Sequence, residues 1–432
     1  MSAFDQRILS RTGTTEQAFE LLPMSGHLVA SMAAAEPSLF FSELHSYANR
    51  FAGLNIHCAN PTRSYPCFSD TGLSEHVRFN VMFLTSAVRR LQGHNLVHYV
   101  PQHLSRWSQN ITRRHDVDVF WGTCSLPTHN GFVSLGVNTC YEPEILRKAR
   151  TVVLEINPNM PVVYGDTFVP IEDVDLFLHN NAVLPSLTTE SASAEDRQIA
   201  QYISDLVPDG ATIQLGIGGI PNAVGEYLTH KKDLGIHTEL FTESMRILYE
   251  HGVITGAKKT LWPRKMVATF VYGSQELYSF VRENPAVELH PASIINDSSR
   301  ICRNHKMISI NTAVEVDITG QVCSESVGHR ELSGVGGATD THLGAQRSDG
   351  GRGIIALRSL TADGMTSKIC FELKAGAKVS ISRNDIDTVV TEFGVAELIG
   401  LSVAERAKAL IRIAHPSFRD ELLMNAQKAG YI

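Results

Sequence analysis

Short apolar runs alternate with segments of helical periodicity along most of the chain. Apolar runs of ~4–8 residues are typical of buried strands, whereas amphipathic helices repeat their apolar positions every three to four residues. This alternation predicts an α/β protein whose sheets are mostly parallel. The predicted strands are 28–31, 96–99, 117–121, 152–156, 212–215, 265–270, 287–290, 308–311, 353–356 and 389–391. The predicted helices are 15–22, 37–51, 143–148, 196–206, 222–227, 244–251, 395–399 and 403–413.

Two segments share one pattern, which suggests two related α/β halves. Residues 26–38 and 210–222 each run from a glycine turn through a strand and a five-residue loop to a proline. Pro37 and Pro221 stand where each helix is expected to start, a position at which the missing N–H group would be unpaired anyway. Strand–turn–helix units are common, so a chance match of so short a pattern stays an open alternative.

A Ser/Thr-rich segment without hydrophobic periodicity, 184–194, separates these halves. Such a composition is typical of a linker. The next residues begin a helix with acidic side chains, Glu195 and Asp196, in its first turn. The sequence therefore predicts an N-terminal α/β domain over 1–186 and a C-terminal α/β domain over 195–432.

Charge and cysteine content exclude several classes of protein. The formal net charge is −7, and no basic run is present that would neutralise the phosphates of a nucleic acid or of lipids. No apolar run approaches the ~18 residues of a membrane span, and residues 1–7 lack the apolar core of a signal peptide. The seven cysteines are scattered without a Cys-x-x-Cys pair, which is typical of a reducing compartment. We therefore expect a cytoplasmic protein without nucleic-acid or membrane partners.

The histidines give no sign of a metal site in the sequence. None of the 18 histidines stands at the local spacing of a zinc motif. His27 and His45 lie among apolar residues and are interpreted as core or surface histidines. The sequence therefore predicts that no metal ion is bound.

One carboxylate interrupts an apolar stretch in the second half of the chain. Residues 234–241 are predicted to form a short strand that carries Glu239 to the edge of a turn. An acid in such a run marks either the solvent face of a strand or a functional site. The solvent face is the commoner case, because acids are rarely buried without a partner.

Two glycine-rich turns flank this carboxylate in the sequence. The first, Gly-Ile-Gly-Gly-Ile at 216–220, follows a strand, and the second is Ser-Gly-Val-Gly-Gly at 333–337. Backbone N–H groups of such turns can hold an anion or the oxygen that becomes negative during acyl transfer. We therefore predict that Glu239 is a nucleophile that attacks a carbonyl carbon.

The first glycine turn is also compatible with two other interpretations. A dinucleotide fingerprint needs glycine where Pro221 stands, but the acid expected about twenty residues further on could be Glu239. A plain structural turn between a strand and a helix fits the loop equally well.

A further acid, Glu392, follows the predicted strand 389–391, where it could orient a substrate or cap a helix.

Longer runs resemble the acetyl-CoA hydrolase/transferase family, which holds the 4-hydroxybutyrate, butyrate, succinate:acetate and itaconate CoA-transferases. The runs in the second half are QLGIGGIPNAV (214–224), LGIHTELF (234–241), GSQELYSFVRENPAVEL (273–289), SINTAVEVDITGQV (309–322), SGVGG (333–337), SRNDI (382–386), VVTEFG (389–394) and RIAHPSFR (412–419). The N-terminal half matches more loosely through AAEPSLF (34–40), HNGFVSLGVN (129–138) and NMPVVYGDTFV (159–169).

The resemblance implies two open-sheet α/β domains of the CoA-transferase (NagB/RpiA-like) type with the active site between them. In that family the covalent carboxylate falls on Glu239, and Glu392 supports that carboxylate or the substrate. The glycine-rich loop lies against the acyl and CoA groups, and the SGVGG turn helps to hold the thioester oxygen. The residues implied for substrate and CoA binding are Gly216, Ile217, Gly218, Gly219, Ile220, Asn311, Gly334, Val335, Gly336, Gly337, Arg383 and Glu392.

The implied activity is the transfer of CoA between an acyl-CoA and a small carboxylic acid of the acetate, butyrate, 4-hydroxybutyrate, succinate or itaconate class. It would proceed by a ping-pong mechanism through a glutamyl-CoA thioester, without a cofactor beyond CoA, in a homodimer or larger homo-oligomer.

The family usually continues SGVGG with Gln, an apolar residue, Asp and Phe, whereas residues 338–341 read Ala-Thr-Asp-Thr. Because of this departure, the resemblance does not identify the donor and acceptor acids. Arg63 or Arg347 could pair a second carboxylate, although exposed arginines are the norm.

Two rival activities remain at this stage. An acyl-CoA hydrolase would use the same residues and differ only in whether water reaches the Glu239 adduct. A dinucleotide-dependent oxidoreductase would instead bind its cofactor at the glycine loop and would tolerate the change of Glu239 to Gln.

Overall fold

The computed structural model describes residues 3–187 and 191–432. The chain clusters in space into two compact units, one of Met1–Leu187 with Val267–Ile295 and one of Thr188–Met266 with Asn296–Ile432. Of the predicted linker 184–194, residues 188–190 lie outside the described residues. The predicted domain limits, 1–186 and 195–432, stay a prediction.

Three helices, α2, α7 and α14, begin at capping side chains. Thr14, Ser193 and Ser402 each form a capping box with the third helical residue, which pairs backbone N–H groups that a helix start otherwise leaves free. Within the described residues, no helix combines the length and the hydrophobicity needed to cross a membrane. The α-helices of the described residues are α1 (Ala3–Arg11), α2 (Thr15–Glu20), α3 (Ser38–Tyr47), α4 (Ser86–Arg89), α5 (Trp107–Arg114), α6 (Glu142–Leu146), α7 (Ala194–Leu206), α8 (Gly219–Tyr227), α9 (Glu243–Glu250), α10 (Gln275–Val281), α11 (Ala292–Ile295), α12 (Ser298–Ile301), α13 (Ala338–Gln346), α14 (Val403–Ile413) and α15 (Pro416–Lys428).

The strands are short and mostly buried, as the apolar runs predict. The strands of the described residues are β1 (Gly26–Ala30), β2 (Leu54–Cys58), β3 (Val77–Val81), β4 (Val97–Tyr99), β5 (Val119–Cys124), β6 (Phe132–Ser134), β7 (Thr151–Ile156), β8 (Tyr164–Gly165), β9 (Phe168–Pro170), β10 (Leu176–His179), β11 (Thr212–Leu215), β12 (Gly235–Ile236), β13 (Leu240–Phe241), β14 (Met266–Ala268), β15 (Phe270–Val271), β16 (Val287–Leu289), β17 (Met307–Thr312), β18 (Glu315–Asp317), β19 (Val322–Cys323), β20 (Ser326–Val327), β21 (Arg330–Glu331), β22 (Arg352–Ala356), β23 (Ile369–Cys370), β24 (Thr388–Thr391) and β25 (Gly394–Glu397).

The first unit is built on a seven-stranded parallel sheet in the order β10-β7-β5-β1-β2-β3-β4. The first strand is internal, because the chain adds β2 to β4 on one side of it and β5, β7 and β10 on the other. An apolar cluster that includes Phe19, Phe40, Phe79 and Trp121 packs beside this sheet.

A buried carboxylate ties α3 to this sheet. Glu155, on β7, accepts hydrogen bonds from the backbone N–H groups of Leu39 and Phe40 at 3.1 and 3.0 Å. It also accepts from Trp121 Nε1 at 3.1 Å and from Asn180 Nδ2 at 2.6 Å. Burial raises the pKa of the Glu155 carboxyl to about 7 in spite of these four donors. The Glu155 carboxylate thus accepts hydrogen bonds from the start of α3, from β5 and from the residue after β10.

We expect Glu155→Leu to lower the free energy of unfolding by ~4 kcal/mol or more, because four buried donors lose their acceptor and each unpaired group costs ~1–3 kcal/mol. Urea unfolding followed by circular dichroism measures this change. Glu155→Gln is the matched control, since its amide oxygen keeps part of the acceptor capacity and should preserve at least half of the lost stability. Equal losses in the two variants would show that the hydrogen bonds are not the cause.

The second unit is built on a six-stranded sheet in the order β12-β11-β17-β22-β24-β25. Its strands are parallel except for β25, which runs antiparallel to β24. The chain places β12 on one side of β11 and β17 on the other. Such a reversal opens a crevice at the carboxyl ends of the two strands that flank it, here β11 and β17. The two open, largely parallel sheets confirm the predicted α/β class.

Three predicted elements are wrong. The strand predicted at 265–270 is interrupted at Thr269 into β14 and β15, which belong to different sheets. The helix predicted at 395–399 is the strand β25, which follows a two-residue turn and pairs Thr391 with Gly394. So short an apolar run does not distinguish helix from strand, and Gly394, at a φ of 134°, turns the chain back. The single strand predicted over 234–241 is broken into β12 and β13, with Glu239 in the bend between them.

The repeated segments do begin with corresponding strands, β1 and β11, each internal to its sheet. In the first repeat, Pro37 immediately precedes α3. In the second, α8 begins at Gly219, so Pro221 is the third helical residue rather than the residue that starts the helix. Both prolines nevertheless lie where the N–H group has no partner within the helix.

Candidate active site

The residues predicted for catalysis and binding lie in the second unit, mainly where its strands end. Loop 216–218 follows β11, Glu239 follows β12, and Glu392 follows β24. The carboxyl ends of parallel strands meet at one edge of a sheet, which is where open α/β proteins bind their ligands. The topology therefore places side chains that are far apart in the sequence at one edge of the second unit.

Glu239 is partly buried and is held by two donors. Asn296 Nδ2 lies 3.0 Å from Glu239 Oε2 and donates a hydrogen bond to it. The backbone N–H group of Gly337 donates a second hydrogen bond to the same carboxylate. Gly337 is the residue before α13, and the positive end of the helix dipole favours a negative charge there. The carboxylate is thus fixed in position rather than free to rotate in solvent.

Burial, together with the neighbouring Asp340 carboxylate, raises the pKa of the Glu239 carboxyl to about 7. The hydrogen bonds from Asn296 and Gly337 act in the opposite direction. Asp340 lies in the first turn of α13 and is itself buried. A carboxylate with a pKa near 7 is more basic than an ordinary one and still largely ionised slightly above neutral pH. These are the properties of a carboxylate adapted to attack an electrophile.

We expect Asp340→Asn to lower the pKa of Glu239, because it removes a neighbouring negative charge while it keeps the side-chain shape. Glu239 must be ionised to act as a nucleophile, so activity should rise with pH through its pKa of about 7. In the variant this acid limb should move to lower pH, and at pH 6 a severalfold larger share of the maximal kcat/KM should remain. The measurement is kcat/KM from pH 5.5 to 8.5, which reports the pKa of the free enzyme.

The matched control for this variant is Asp363→Asn, which removes an exposed carboxylate of the same unit. Its acid limb should coincide with that of the unchanged protein. An acid limb of Asp340→Asn that stays in place or moves to higher pH would contradict the assignment of Glu239 as the titrating group.

The SGVGG turn leads directly into α13. Gly334, Gly336 and Gly337 are buried, whereas Val335 is partly exposed. Gly336 has a φ of 55°, in the left-handed region that glycine adopts readily. A Cβ atom added to Gly337 would lie 2.0 Å from Asn296 Nδ2 and 2.0 Å from Glu239 Oε2. The absence of a side chain at Gly337 therefore lets the backbone N–H group reach the carboxylate.

The other glycine-rich loop borders a cavity of about 270 Å³ at the ends of β11, β17 and β22. Gly218 has a φ of 113° and is the residue before α8, so N–H groups of a helix start are exposed beside this cavity. Ile217 is 48% exposed. The lining of the cavity includes Ile217, Gly218, Gly219, Ile220, Arg358 and Lys368.

Two cationic side chains stand beside the glycine loop. Arg358 binds Asp196 through two hydrogen bonds, 2.8 and 2.6 Å long. Burial lowers the pKa of Lys368, and the nearby Arg358 lowers it further, whereas Glu392 and Asp196 raise it. This cluster of charges on the cavity wall suits a ligand with anionic groups.

Glu392 and Asn311 each form two hydrogen bonds with neighbouring residues. Glu392 accepts hydrogen bonds from the Ser359 backbone N–H group at 2.9 Å and from the Ser359 Oγ at 2.6 Å. Asn311 Nδ2 donates to Ser309 Oγ at 3.0 Å and to Thr341 Oγ1 at 3.1 Å. Glu392 therefore fixes the backbone at Ser359, and Asn311 links β17 to α13 through a side-chain hydroxyl group. Their part in substrate binding stays a prediction.

The three arginines singled out in the sequence lie in different surroundings. Arg383 is exposed, and its backbone carbonyl accepts a hydrogen bond from Arg406. Arg347 is exposed at the end of α13. Arg63, in the first unit, lies 3.5 Å from the buried Glu36 carboxylate. The structure thus gives Arg63 a carboxylate partner within its own unit.

Sequence reasoning missed Asn296 as a site residue. Its side chain is fully buried, and it reaches Glu239 across 57 positions of sequence. Its Oδ1 atom has no hydrogen-bond partner among the described residues. Asn296 falls between the recognised runs 273–289 and 309–322, so no motif marked it. Only the packing of α12 against α13, the helix that follows the SGVGG turn, brings it to the carboxylate.

Comparison with known proteins finds the same family in both halves of the chain. A family model described as the acetyl-CoA hydrolase/transferase N-terminal domain matches residues 11–187, and one for the C-terminal domain of that family matches residues 273–426. The 4-hydroxybutyrate coenzyme A transferase of Clostridium kluyveri is 37% identical over 417 residues, 96% of this chain and 97% of that protein.

Two further comparisons agree over similar lengths. The succinyl-CoA:cyclohexane-1-carboxylate CoA transferase of Geobacter metallireducens is 37% identical over 93% of this chain and 91% of that protein. The crystal structure of RipA from Yersinia pestis superposes with a TM-score of 0.95 at 34% identity and covers 100% of both chains. The similarity thus extends over nearly the whole length.

Proposed function

Because the chain belongs to the acetyl-CoA hydrolase/transferase family, we propose that it transfers CoA between an acyl-CoA and a small carboxylic acid through a glutamyl-CoA thioester at Glu239. Its relatives at 37% identity are named CoA transferases, and it is an enzyme of that type. The observation that carries the covalent mechanism is a partly buried carboxylate with a pKa of about 7, held by Asn296 and by the Gly337 N–H group.

In the first half-reaction, the ionised Glu239 oxygen attacks the carbonyl carbon of the acyl-CoA thioester. The C–S bond breaks, which gives an acyl–glutamyl anhydride and the CoA thiolate. The thiolate then attacks the glutamyl carbonyl carbon, which gives the glutamyl-CoA thioester and releases the donor acid as its carboxylate. No net proton is taken up or released in these two steps. An acceptor carboxylate runs the same steps in reverse and leaves as the new acyl-CoA.

A carboxylate is a weak nucleophile, and two features of the site compensate for this. Holding the reacting groups in one place can supply ~7 kcal/mol or more of the barrier reduction. An N–H donor aimed at the developing oxyanion adds roughly 3 kcal/mol, and the glycine turns at 216–220 and 333–337 offer such donors. We propose that Asn296 positions Glu239 and that the N–H groups of the turns stabilise the oxyanion.

The cavity beside loop 216–220 is the proposed site for part of the CoA molecule. Its glycine backbone permits close approach, and Arg358 and Lys368 supply positive charge near anionic groups. Contacts remote from the thioester can be used to position and strain the reacting end. CoA supplies the thiol, so the proposed reaction needs no further cofactor.

The substrates are proposed at the level of class. The donor is an acyl-CoA, and the acceptor is a small acid of the acetate, butyrate, 4-hydroxybutyrate, succinate or itaconate class. The homodimeric state and the cytoplasmic location also stay predictions.

The test is an initial-rate study of acetyl-CoA, butyryl-CoA and succinyl-CoA, each with acetate, butyrate, 4-hydroxybutyrate, succinate and itaconate as acceptors. Formation of the new acyl-CoA and release of free thiol are followed separately. The proposal predicts new acyl-CoA and parallel double-reciprocal lines, as a ping-pong mechanism requires. Free thiol released at the same rate with and without an acceptor would instead show a hydrolase, the other activity in the family description.

A further inference from the structure

Three histidines that are far apart in the sequence meet in the first unit. His27 is on β1 and His57 is on the neighbouring β2, where the register pairs His27 with Asn55. Since alternate residues of a strand share a face, His27 and His57 lie on the same face of the sheet. His115 follows α5 directly. One potential ligand nitrogen from each ring lies within 4.8 Å of the other two.

The spacing of the rings is close to that of a tetrahedral metal site. His27 Nδ1 and His57 Nε2 are 3.0 Å apart. Metal–nitrogen bonds of ~2.0–2.1 Å in a tetrahedral site place imidazole centroids about 5 Å apart. The centroids of His57 lie 5.3 Å from His27 and 5.6 Å from His115. The rings of His27 and His115 are stacked at 3.9 Å, so His115 would move outward by about 1 Å on binding.

The protonation of the cluster also suits a metal ion, because a histidine ligand must be neutral. Burial, together with the two other histidines, lowers the pKa of His57 to about 3. Burial lowers the pKa of His27 and of His115 as well, although Asp118 raises that of His27. The Asp118 carboxylate accepts a hydrogen bond from the His27 backbone N–H group at 2.9 Å. Burial thus favours the neutral form of each ring, which is the form that binds a metal ion.

The cluster opens onto a cavity. His57 and His115 line a cavity of about 190 Å³ together with Asn80, Gln102 and Asn110. Asn80 stands opposite His57 on β3 and adds a polar group to the same face of the sheet. The same face also carries Asn55 on β2, Arg78 on β3 and His98 on β4, so this part of the sheet face is polar. The proposed CoA transfer uses none of these residues.

We propose that His27, His57 and His115 bind one divalent transition-metal ion of the zinc class, with the fourth coordination position directed to the cavity. Imidazole ligands favour Zn²⁺, Co²⁺, Ni²⁺ and Cu²⁺ over Mg²⁺ and Ca²⁺, which require oxygen ligands. Three protein ligands with an open fourth position are typical of zinc sites that bind water or a small ligand. The sequence predicted no metal site because His27 and His57 are 30 positions apart, which no local motif covers.

The test uses the full-length protein, stripped of metal with a chelator and titrated with Co²⁺, whose visible absorption reports four-coordinate binding. We expect one equivalent to bind and one equivalent of Zn²⁺ to displace it. His115→Gln, at a partly exposed ring, should weaken binding at least ~10-fold, as the loss of a ligand implies. His45→Gln, an exposed histidine of α3, should leave binding unchanged.

Circular dichroism and CoA-transfer activity of His115→Gln serve as controls for folding, and both should match the unchanged protein. A protein that takes up no stoichiometric Co²⁺ at pH 7.5 would overturn the proposal. Stoichiometric uptake with the same affinity in His115→Gln would overturn it too, since the ion would then lie elsewhere.

Discussion

Glu239→Gln is expected to abolish CoA transfer, with kcat at least ~10⁴-fold lower, because loss of the nucleophile removes the covalent route. An amide oxygen does not form the acyl anhydride, yet it keeps the size of the carboxylate and can still accept hydrogen bonds from Asn296 and Gly337. Affinity for acyl-CoA should therefore remain within a few-fold of that of the unchanged protein. Steady-state kinetics and calorimetric titration with acyl-CoA separate the two effects.

The same variant should be more stable above neutral pH. The raised pKa of Glu239, about 7 against an ordinary value of 4.5, means that the folded state binds its proton more tightly than the unfolded state. The free energy of unfolding of the unchanged protein therefore falls as the pH rises from about 4.5 to about 7. At pH 8 the variant lacks this penalty, so its free energy of unfolding should be higher by up to ~3 kcal/mol, at ~1.4 kcal/mol per pKa unit.

Glu250→Gln, an exposed acid on α9, is the control for both measurements and should change neither by much. Loss of activity together with undiminished stability excludes misfolding as the cause. A Glu239→Gln protein that transfers CoA within ~10-fold of the normal rate would mean that another group carries the acyl chemistry.

Gly337→Ala is expected to reduce kcat/KM by ~100-fold or more, since a displacement of about 1 Å at a reacting group can cost that much. The added methyl group would lie 2.0 Å from Glu239 Oε2 and 2.0 Å from Asn296 Nδ2. No side chain tolerates such distances, so either the carboxylate turns away or the start of α13 shifts. Both outcomes break the hydrogen bond from the Gly337 N–H group to Glu239.

Ala338→Gly is the matched control for this variant. It changes the first residue of α13 but adds no atom near the carboxylate, and it should retain at least a third of the activity, in line with the ~1 kcal/mol effect of glycine in a helix. The measurement is the steady-state kcat/KM of both variants, and circular dichroism checks that both are folded. Equal activity of Gly337→Ala and the unchanged protein would contradict the close contact.

The sequence identified the elements whose hydrophobic pattern is unambiguous. The strand at 212–215 and the helix at 403–413 have the predicted bounds. The segment 395–399 did not follow its prediction, because four apolar residues around Glu397 fit either structure and a tight turn decided in favour of a strand. Local pattern thus predicts an element well where the periodicity fits one structure only, and poorly where a short run fits both helix and strand.

The site shows the same division. Glu239 and the glycine turns stand out in the sequence because an acid in an apolar run and clustered glycines are unusual. Asn296 and Arg358 carry no such signal, since each reaches its partner only through the tertiary fold, Asn296 across 57 positions and Arg358 across 162. The histidine cluster escaped prediction for the same reason.

The most direct test of the central claim is to look for the covalent intermediate on Glu239. The protein is incubated with one acyl-CoA at a time and then with borohydride, and its peptides are weighed by mass spectrometry. A glutamyl-CoA thioester is reduced to an alcohol, so the peptide with Glu239 should lose one oxygen and gain two hydrogens. The account predicts this change with at least one donor and its absence in Glu239→Gln. Consumption of acyl-CoA with no mark on Glu239 under any donor would contradict the account.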